Sequence, residues 1–244
     1  MVVPKAIQRA AISGELAVIK RWIDSGGDVN DYTSTGEYRD TFLSEVCSIY
    51  NRDERPSVVA LLLEHGAEIQ HHNILHAAGH GGKESLRLLL SHGGDPSPEG
   101  VQWTALHAAC GCQADHEIVA MLLDHGADPN RCITYDEPGT PHHGLIVEGL
   151  TNDPPTPLMC AAESCKSIEI IRLLLSRGAD FELRTLPSPL TGPVGYNAED
   201  YARTGLPAPL PSSAPTLTIL VRAAMSVASL ELYFVPPAEA DSTE

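Results

Sequence analysis

Residues 104–130 of the chain read TALHAACGCQADHEIVAMLLDHGADPN and determine the fold. In their second half, Ile118 and Leu122, together with the apolar residue after each of them, are spaced as on one face of a helix. The paired alanines of the first half suit a helix that packs closely on this partner. Gly126, directly after the apolar run, is typical of a residue that ends a helix in the left-handed conformation. The stretch therefore predicts two short helices joined by a tight turn.

The same pattern returns along the chain. A run of apolar residues followed by glycine and an acidic residue occurs in five copies, and the first glycines of these copies are Gly26, Gly66, Gly93, Gly126 and Gly178. An opening phrase precedes three copies, as ILHAA at 74–78, TALHAA at 104–109 and TPLMCAA at 156–162. One copy has too little apolar material to fold alone, so neighbouring copies must stack and bury a continuous core.

These phrases resemble the ankyrin repeat, whose signature runs T-P-L-H-x-A-A, a short loop, then V-V-x-L-L-L-x-x-G-A-D. The resemblance extends over residues 4–183. It implies an all-α solenoid of stacked helix-turn-helix units with β-turn finger loops, in which the fingers and first helices form a concave face. It also implies structural roles for Thr104, Thr156 and the five glycines, and for His76 and His107, which tie the opening turn together by hydrogen bonds.

The repeats, an insertion and a cap divide the chain. We expect one domain over residues 1–232, with repeats at approximately 4–30, 37–70, 71–97, 101–130 and 153–183, an insertion at 131–155 and a degenerate C-terminal cap at 194–232. Several prolines break the insertion, which excludes a long helix across it. We expect residues 233–244 to be a disordered acidic tail.

The charge balance limits the classes of partner. The 244 residues include 16 Lys and Arg against 32 Asp and Glu, a formal net charge of −16. Nucleic acids and anionic membrane surfaces require clustered basic side chains, so both are disfavoured. The sequence instead predicts a protein partner, with a basic surface, and a monomeric chain.

The expected compartment follows from the absence of targeting signals. Residues 1–11 lack the apolar segment of a secretory signal, and no stretch of about 18 residues is uniformly apolar. We therefore expect the six cysteines to be reduced. The predicted location is the cytoplasm, with the nucleus as a second location.

No enzyme motif is present, and we predict a chain that is not an enzyme and has no cofactor. A metal site is the alternative, because Cys110-Gly111-Cys112 and the Cys160/Cys165 pair recur one repeat apart. Further candidate ligands are His107, His116, His142 and His143. The spacings are C-x-C and C-x₄-C without a second well-spaced pair, so ordinary small thiols explain these cysteines better.

Two asparagines follow the Gly-Asp phrase, in Asp28-Val29-Asn30 and Asp128-Pro129-Asn130. The resemblance implies that Asn30 and Asn130 cap the finger turn by hydrogen bonding. Asparaginyl hydroxylation at the same position is the alternative.

Binding residues of such a scaffold are exposed and irregular with respect to the repeat, and aromatic or arginine side chains make good anchors. The candidates are Tyr32, Tyr38, Arg39, Gln102 and Trp103 at the fingers, Tyr135 in the insertion, and His80 and Glu163 at first-helix ends. The predicted function is a non-catalytic scaffold or adaptor that binds a protein. The alternatives are a substrate-recognition module of a larger complex, such as a ubiquitin-ligase receptor, and a metal-binding or enzymatic protein that uses the insertion.

Overall fold

The computed structural model describes most of the repeat region of the chain. The described residues are 2–34, 40–48, 55–99, 101, 103–111, 115–132, 156–164, 167–184, 197–198 and 200. They form ten helices: α1 Lys5–Ser13, α2 Leu16–Asp24, α3 Phe42–Ser48, α4 Pro56–Glu64, α5 His71–Gly79, α6 Lys83–Ser91, α7 Ala105–Gly111, α8 His116–Asp124, α9 Pro157–Ser164 and α10 Ile168–Ser176. This part of the chain contains no strand, but isolated β-bridges join Tyr32 to Val2 and to Thr41.

The helices stack in two layers. Each odd-numbered helix contacts the next odd-numbered one, from α1 to α9, and the even-numbered helices do the same from α2 to α10. Each pair of consecutive helices also packs on itself, as α5 does on α6. The predicted all-α solenoid is therefore confirmed. We call the odd-numbered helices the first-helix layer and the even-numbered helices the outer layer.

One continuous core lies between the two layers. Large apolar side chains such as Phe42, Leu106 and Leu122 are completely buried. Burying each such side chain stabilises the fold by roughly 1.5–3 kcal/mol relative to leaving it exposed. The alanine pairs of the first-helix layer, among them Ala108 and Ala109, are also buried. Their small side chains allow adjacent first helices to approach closely.

The helix ends follow from local chemistry. Pro56 occupies the first turn of α4, where no intrahelical N–H bond is lost. The Asp115 carboxylate caps α8 by accepting a hydrogen bond from the Glu117 backbone N–H at 3.0 Å. The residues that follow the outer helices include Gly26, Gly66, Gly93, Gly126 and Gly178, with φ angles of 96°, 83°, 87°, 89° and 85°. These angles lie in the left-handed region that favours glycine.

Asparagine side chains join successive repeats at two junctions. The Asn30 side chain donates to the Gly66 carbonyl at 3.1 Å and accepts from the Glu68 N–H at 2.8 Å. Asn130 makes the same pair of bonds, to the Gly178 carbonyl at 2.8 Å and from the Asp180 N–H at 2.7 Å. The two side chains thus bond to the turn of the next copy.

The fourth and fifth copies stack directly although the insertion separates them in sequence. The helices α7 and α9 contact one another, as do α8 and α10, and Asn130 bridges the same junction. Residues 133–155 of the insertion, nearly all of the cap at 194–232 and the tail at 233–244 lie outside the described residues, so the predictions for these segments stay predictions. In the described part of the chain, no helix is both long and apolar enough to span a membrane.

Candidate functional site

The candidate surface is built on the turns that open the first helices. Before α7, the Thr104 hydroxyl lies 2.8 Å from His107 Nδ1, and His107 is fully buried. Before α9, the Thr156 hydroxyl accepts a hydrogen bond from the Met159 N–H at 3.3 Å. These bonds hold the first turn of α7 and of α9.

The third copy departs from this arrangement at His76. Its α5 begins three residues earlier than the repeat pattern predicts, and Asn73 stands where other copies have threonine. Asn73 Oδ1 accepts from the Gln70 N–H, and its Nδ2 donates to the Ser44 hydroxyl at 2.7 Å. Asn73 thus makes the hydrogen bonds of the opening turn that were predicted for His76, because its side-chain amide can both accept and donate.

His76 instead belongs to a column of histidines formed by two residues of α5 and the residue that directly follows the helix. The ring centroids of His72 and His76 are 6.2 Å apart, and those of His76 and His80 are 5.9 Å apart. Residues four apart share one helix face, so the three rings form a single row. All three are half-buried. We call this row the histidine column.

The electrostatic environment of the column keeps its central ring uncharged. Burial lowers the pKa of His76 to about 4, and positive charge at His72 or His80 would lower this pKa further. The Asp40 carboxylate and a hydrogen bond to the Ser44 backbone act in the opposite direction. Burial also lowers the pKa of His80.

The predicted anchor Trp103 is partly built into the scaffold. Its half-buried ring packs against the core, and its centroid is 5.2 Å from that of His107. The Trp103 carbonyl lies 3.0 Å from His71 Nε2, a contact that joins the third and fourth copies. Its buried indole Nε1 has no hydrogen-bond partner among the described residues. Trp103 thus contributes both packing and a partly accessible aromatic surface.

The other predicted binding residues are spread over the repeats. Tyr32 is 38% exposed at the first finger, and Glu163 is half-buried near the end of α9, where burial raises its pKa. His80 directly follows α5. Tyr38, Arg39, Gln102 and Tyr135 lie outside the described residues. The described members are distributed over several repeats, along the first-helix layer and its fingers.

Comparisons with known proteins identify the repeats. A family model described as ankyrin repeats in three copies matches residues 46–133, and an ankyrin repeat model matches residues 156–186. This chain contains ankyrin repeats.

Two relatives contain similar ankyrin repeats. A "Putative ankyrin repeat-containing protein" of Treponema pallidum (strain Nichols) is 28% identical over 48% of this chain and 40% of its own length. The "Transient receptor potential channel pyrexia" of Drosophila melanogaster is 38% identical over 41% of this chain and 9% of its own length. The matches thus span less than half of either relative.

The thiols of the ankyrin repeats are poorly suited to the metal site considered above. Cys110 and Cys160 are buried, and burial raises the pKa of Cys110. Burial likewise raises the pKa of Cys47 to about 12, so this thiol stays protonated at neutral pH and is a weak ligand. Cys112, Cys165, His142 and His143 lie outside the described residues.

A second cluster, at the start of α8, is already paired. Asp115, His116 and Glu117 are exposed and lie close together. The Lys83 ammonium is 2.7 Å from a carboxylate oxygen of both Asp115 and Glu117. The lysine neutralises charge that a cation would need, and it joins the outer helices of the third and fourth ankyrin repeats.

The histidine column is a feature that the repeat pattern does not predict, although its signal is present in the sequence. The pattern places His76 in the opening motif and His80 at a helix end, and it gives His72 no role. The spacing of four between these histidines is nevertheless visible in the sequence. The repeat pattern obscures it because the pattern accounts for His76 without reference to its neighbours.

Proposed function

We propose that this ankyrin repeat protein is a non-catalytic scaffold that binds a protein partner through its first-helix layer and finger loops. Ankyrin repeats generally mediate protein–protein interaction. The observation that carries the proposal is the set of accessible, non-repeating side chains on one side of a repeated frame. Its described members are Tyr32, His72, His80, Trp103 and Glu163.

A rigid frame favours such binding. The bonds of Asn30 and Asn130 fix the turns of successive repeats, and the Thr104–His107 pair fixes the start of a first helix. Side chains held on a prearranged backbone lose less conformational entropy when a partner binds. Trp103 fits this role, since its position is set by packing before any partner arrives.

The charge of the glycine turns that follow the outer helices, which we call the finger edge, supports a basic partner. Each copy places an exposed acidic residue after its glycine turn, at Asp28, Glu68, Asp95, Asp128 and Asp180. Together with the net charge of −16, this row accelerates association with a basic surface more than it tightens the complex. The association rate with such a partner should therefore fall as salt is raised.

A second candidate function is recognition of a substrate within a larger assembly. In one relative the similar segment occupies 9% of the length, so such repeats can form a small part of a much larger chain. Both candidates use the same surface. They differ in whether the captured protein is modified after binding.

The test is affinity capture from cells with wild type and a His80→Ala/Glu163→Ala variant, read by quantitative mass spectrometry. Both side chains lie at first-helix ends, so the fold should survive. Arg172→Ala on the exposed side of α10 is the matched control. We expect a partner that the control retains and the double variant loses, at unchanged melting temperature. Partners recovered equally with all three proteins would contradict binding through the first-helix layer.

A further inference from the structure

The histidine column has the geometry of a helical metal-binding site. Its three imidazoles follow one another at four-residue spacing on α5 and directly after it, and the adjacent ring centroids are 6.2 Å and 5.9 Å apart. A Zn–N bond is about 2.0–2.1 Å, so two imidazoles bound tetrahedrally to one zinc ion have centroids roughly 5 Å apart. Each neighbouring pair in the column lies about 1 Å beyond this separation, so a small rotation of the side chains would bring both rings onto one ion.

The hydrogen bonding of His76 leaves a ligand atom available. One side of its ring bonds to the Ser44 backbone, and its Nδ1 has no hydrogen-bond partner among the described residues. Histidines that bind metals commonly donate one ring N–H to a backbone carbonyl, which fixes the ring and directs the other nitrogen to the ion. His76 has this arrangement, with Ser44 on the neighbouring helix α3 as the supporting group.

The surroundings of the column suit a cation. The Asp40 carboxylate interacts favourably with positive charge at His76. All three imidazoles are half-buried, and the His76 Nδ1 and His72 Nε2 atoms are themselves enclosed. Neutral imidazole nitrogens select zinc, copper and nickel over the hard cations magnesium and calcium, which prefer oxygen.

We propose that the histidine column binds one divalent transition-metal ion, held by His76 together with either His72 or His80. Because His76 belongs to both pairs, the two subsites overlap and exclude each other. The site is independent of the cysteines and of the insertion. It lies in the first-helix layer, so a bound ion would contribute a positive charge to that surface.

The experiment is a competition titration of the full chain with Zn²⁺ and a chromophoric chelator at pH 7.5. We expect one Zn²⁺ per chain. His76→Gln should weaken binding at least tenfold because it breaks both pairs. His72→Gln or His80→Gln alone should weaken it only about twofold, since one of two similar subsites remains. The double variant His72→Gln/His80→Gln should match His76→Gln. It also decides the case if His76→Gln fails to fold.

Three controls separate this site from other sources of binding. His92→Gln removes a histidine at the end of another helix that has no histidine four residues away, so zinc affinity should be unchanged. Alkylating the thiols should leave affinity unchanged, and Mg²⁺ should not compete. Wild-type binding weaker than millimolar, equal affinity in the double variant, or loss of binding on alkylation would each overturn the proposal.

Discussion

The finger edge and the first-helix layer are built from the same repeated unit, yet they differ in how closely they keep its pattern. At the edge, five copies present a glycine in the left-handed region followed by an exposed acidic residue. In the first-helix layer and directly before α7, the histidine column, Glu163 and Trp103 each occur in one copy only. Repeated positions therefore maintain the frame, whereas unrepeated positions leave side chains accessible.

Where residues of the finger edge depart from the repeat pattern, the packing of neighbouring side chains compensates. Gly27 and Gly94 replace the alanine found in other copies, and in both cases a neighbour fills the space. A Cβ at Gly27 would lie 2.2 Å from the Trp22 ring, and one at Gly94 would lie 2.8 Å from the Ile74 methyl. Deviations in the first-helix layer instead leave accessible polar or aromatic groups, as at His80 and Trp103.

Gly94→Ala should have the largest effect on stability. The new methyl would press on the Leu89 carbonyl at 2.9 Å as well as on Ile74, and overpacking of this kind costs about 1–3 kcal/mol. Urea unfolding measures the change. Ala127→Gly is the converse change at the equivalent position of the next copy and should cost less. An unchanged or higher free energy of unfolding for Gly94→Ala would show that this turn accepts the alanine found in the other copies.

The next largest effect concerns pH and the first-helix layer. Since the pKa of His76 is about 4 in the fold, against 6.5 for an ordinary histidine side chain, the unfolded chain takes up its proton first as pH falls. The free energy of unfolding should therefore be highest above pH 6.5 and decrease by about 1–2 kcal/mol between pH 6.5 and 4, less than the full shift because the ring is partly exposed.

Urea unfolding of wild type and His76→Gln across this pH range isolates the contribution of that ring. The difference in the free energy of unfolding between the two proteins should change with pH, because only wild type carries His76. The contributions of Asp40, His72 and His80 cancel, since these residues remain in both proteins. The variant His92→Gln provides the control. A difference that is constant from pH 7 to pH 4 would contradict a buried neutral His76.

Asn130→Ala should have a smaller effect, about 1 kcal/mol, because it removes two hydrogen bonds between neighbouring turns. Hydrogen exchange should locate the loss at the junction of the fourth and fifth copies, with Asn30→Ala producing a similar loss at the first junction. Equal protection of the α9–α10 unit in wild type and Asn130→Ala would mean that helix packing alone joins the copies.

His80→Ala/Glu163→Ala should have the smallest effect on stability, within about 0.5 kcal/mol, because both side chains are only half-buried and lie at helix ends. The same variant should lose the protein partner. A melting temperature lowered by several degrees would place these side chains in the frame and weaken the contrast between the two regions.

The sequence is sufficient to predict the repeat frame because its signals are local. The apolar spacing around Leu122 and the glycine after each outer helix predict the helices without knowledge of neighbours. The exchange of roles between Asn73 and His76, the burial of Trp103, and the bridge from Asn130 to residue 178 each depend on a contact between different copies. Such contacts join residues about one repeat or more apart, where a repeat pattern carries no pairing information.

Site-specific photo-crosslinking in cells tests most directly whether the first-helix layer binds a protein. A photoreactive amino acid is placed at position 80 in the first-helix layer and, separately, at position 172 on the outer layer. Binding through the first-helix layer predicts a discrete crosslinked partner from position 80, absent from position 172 and competed by unlabelled wild type but not by the His80→Ala/Glu163→Ala variant. The same partner crosslinked from position 172 alone would contradict it.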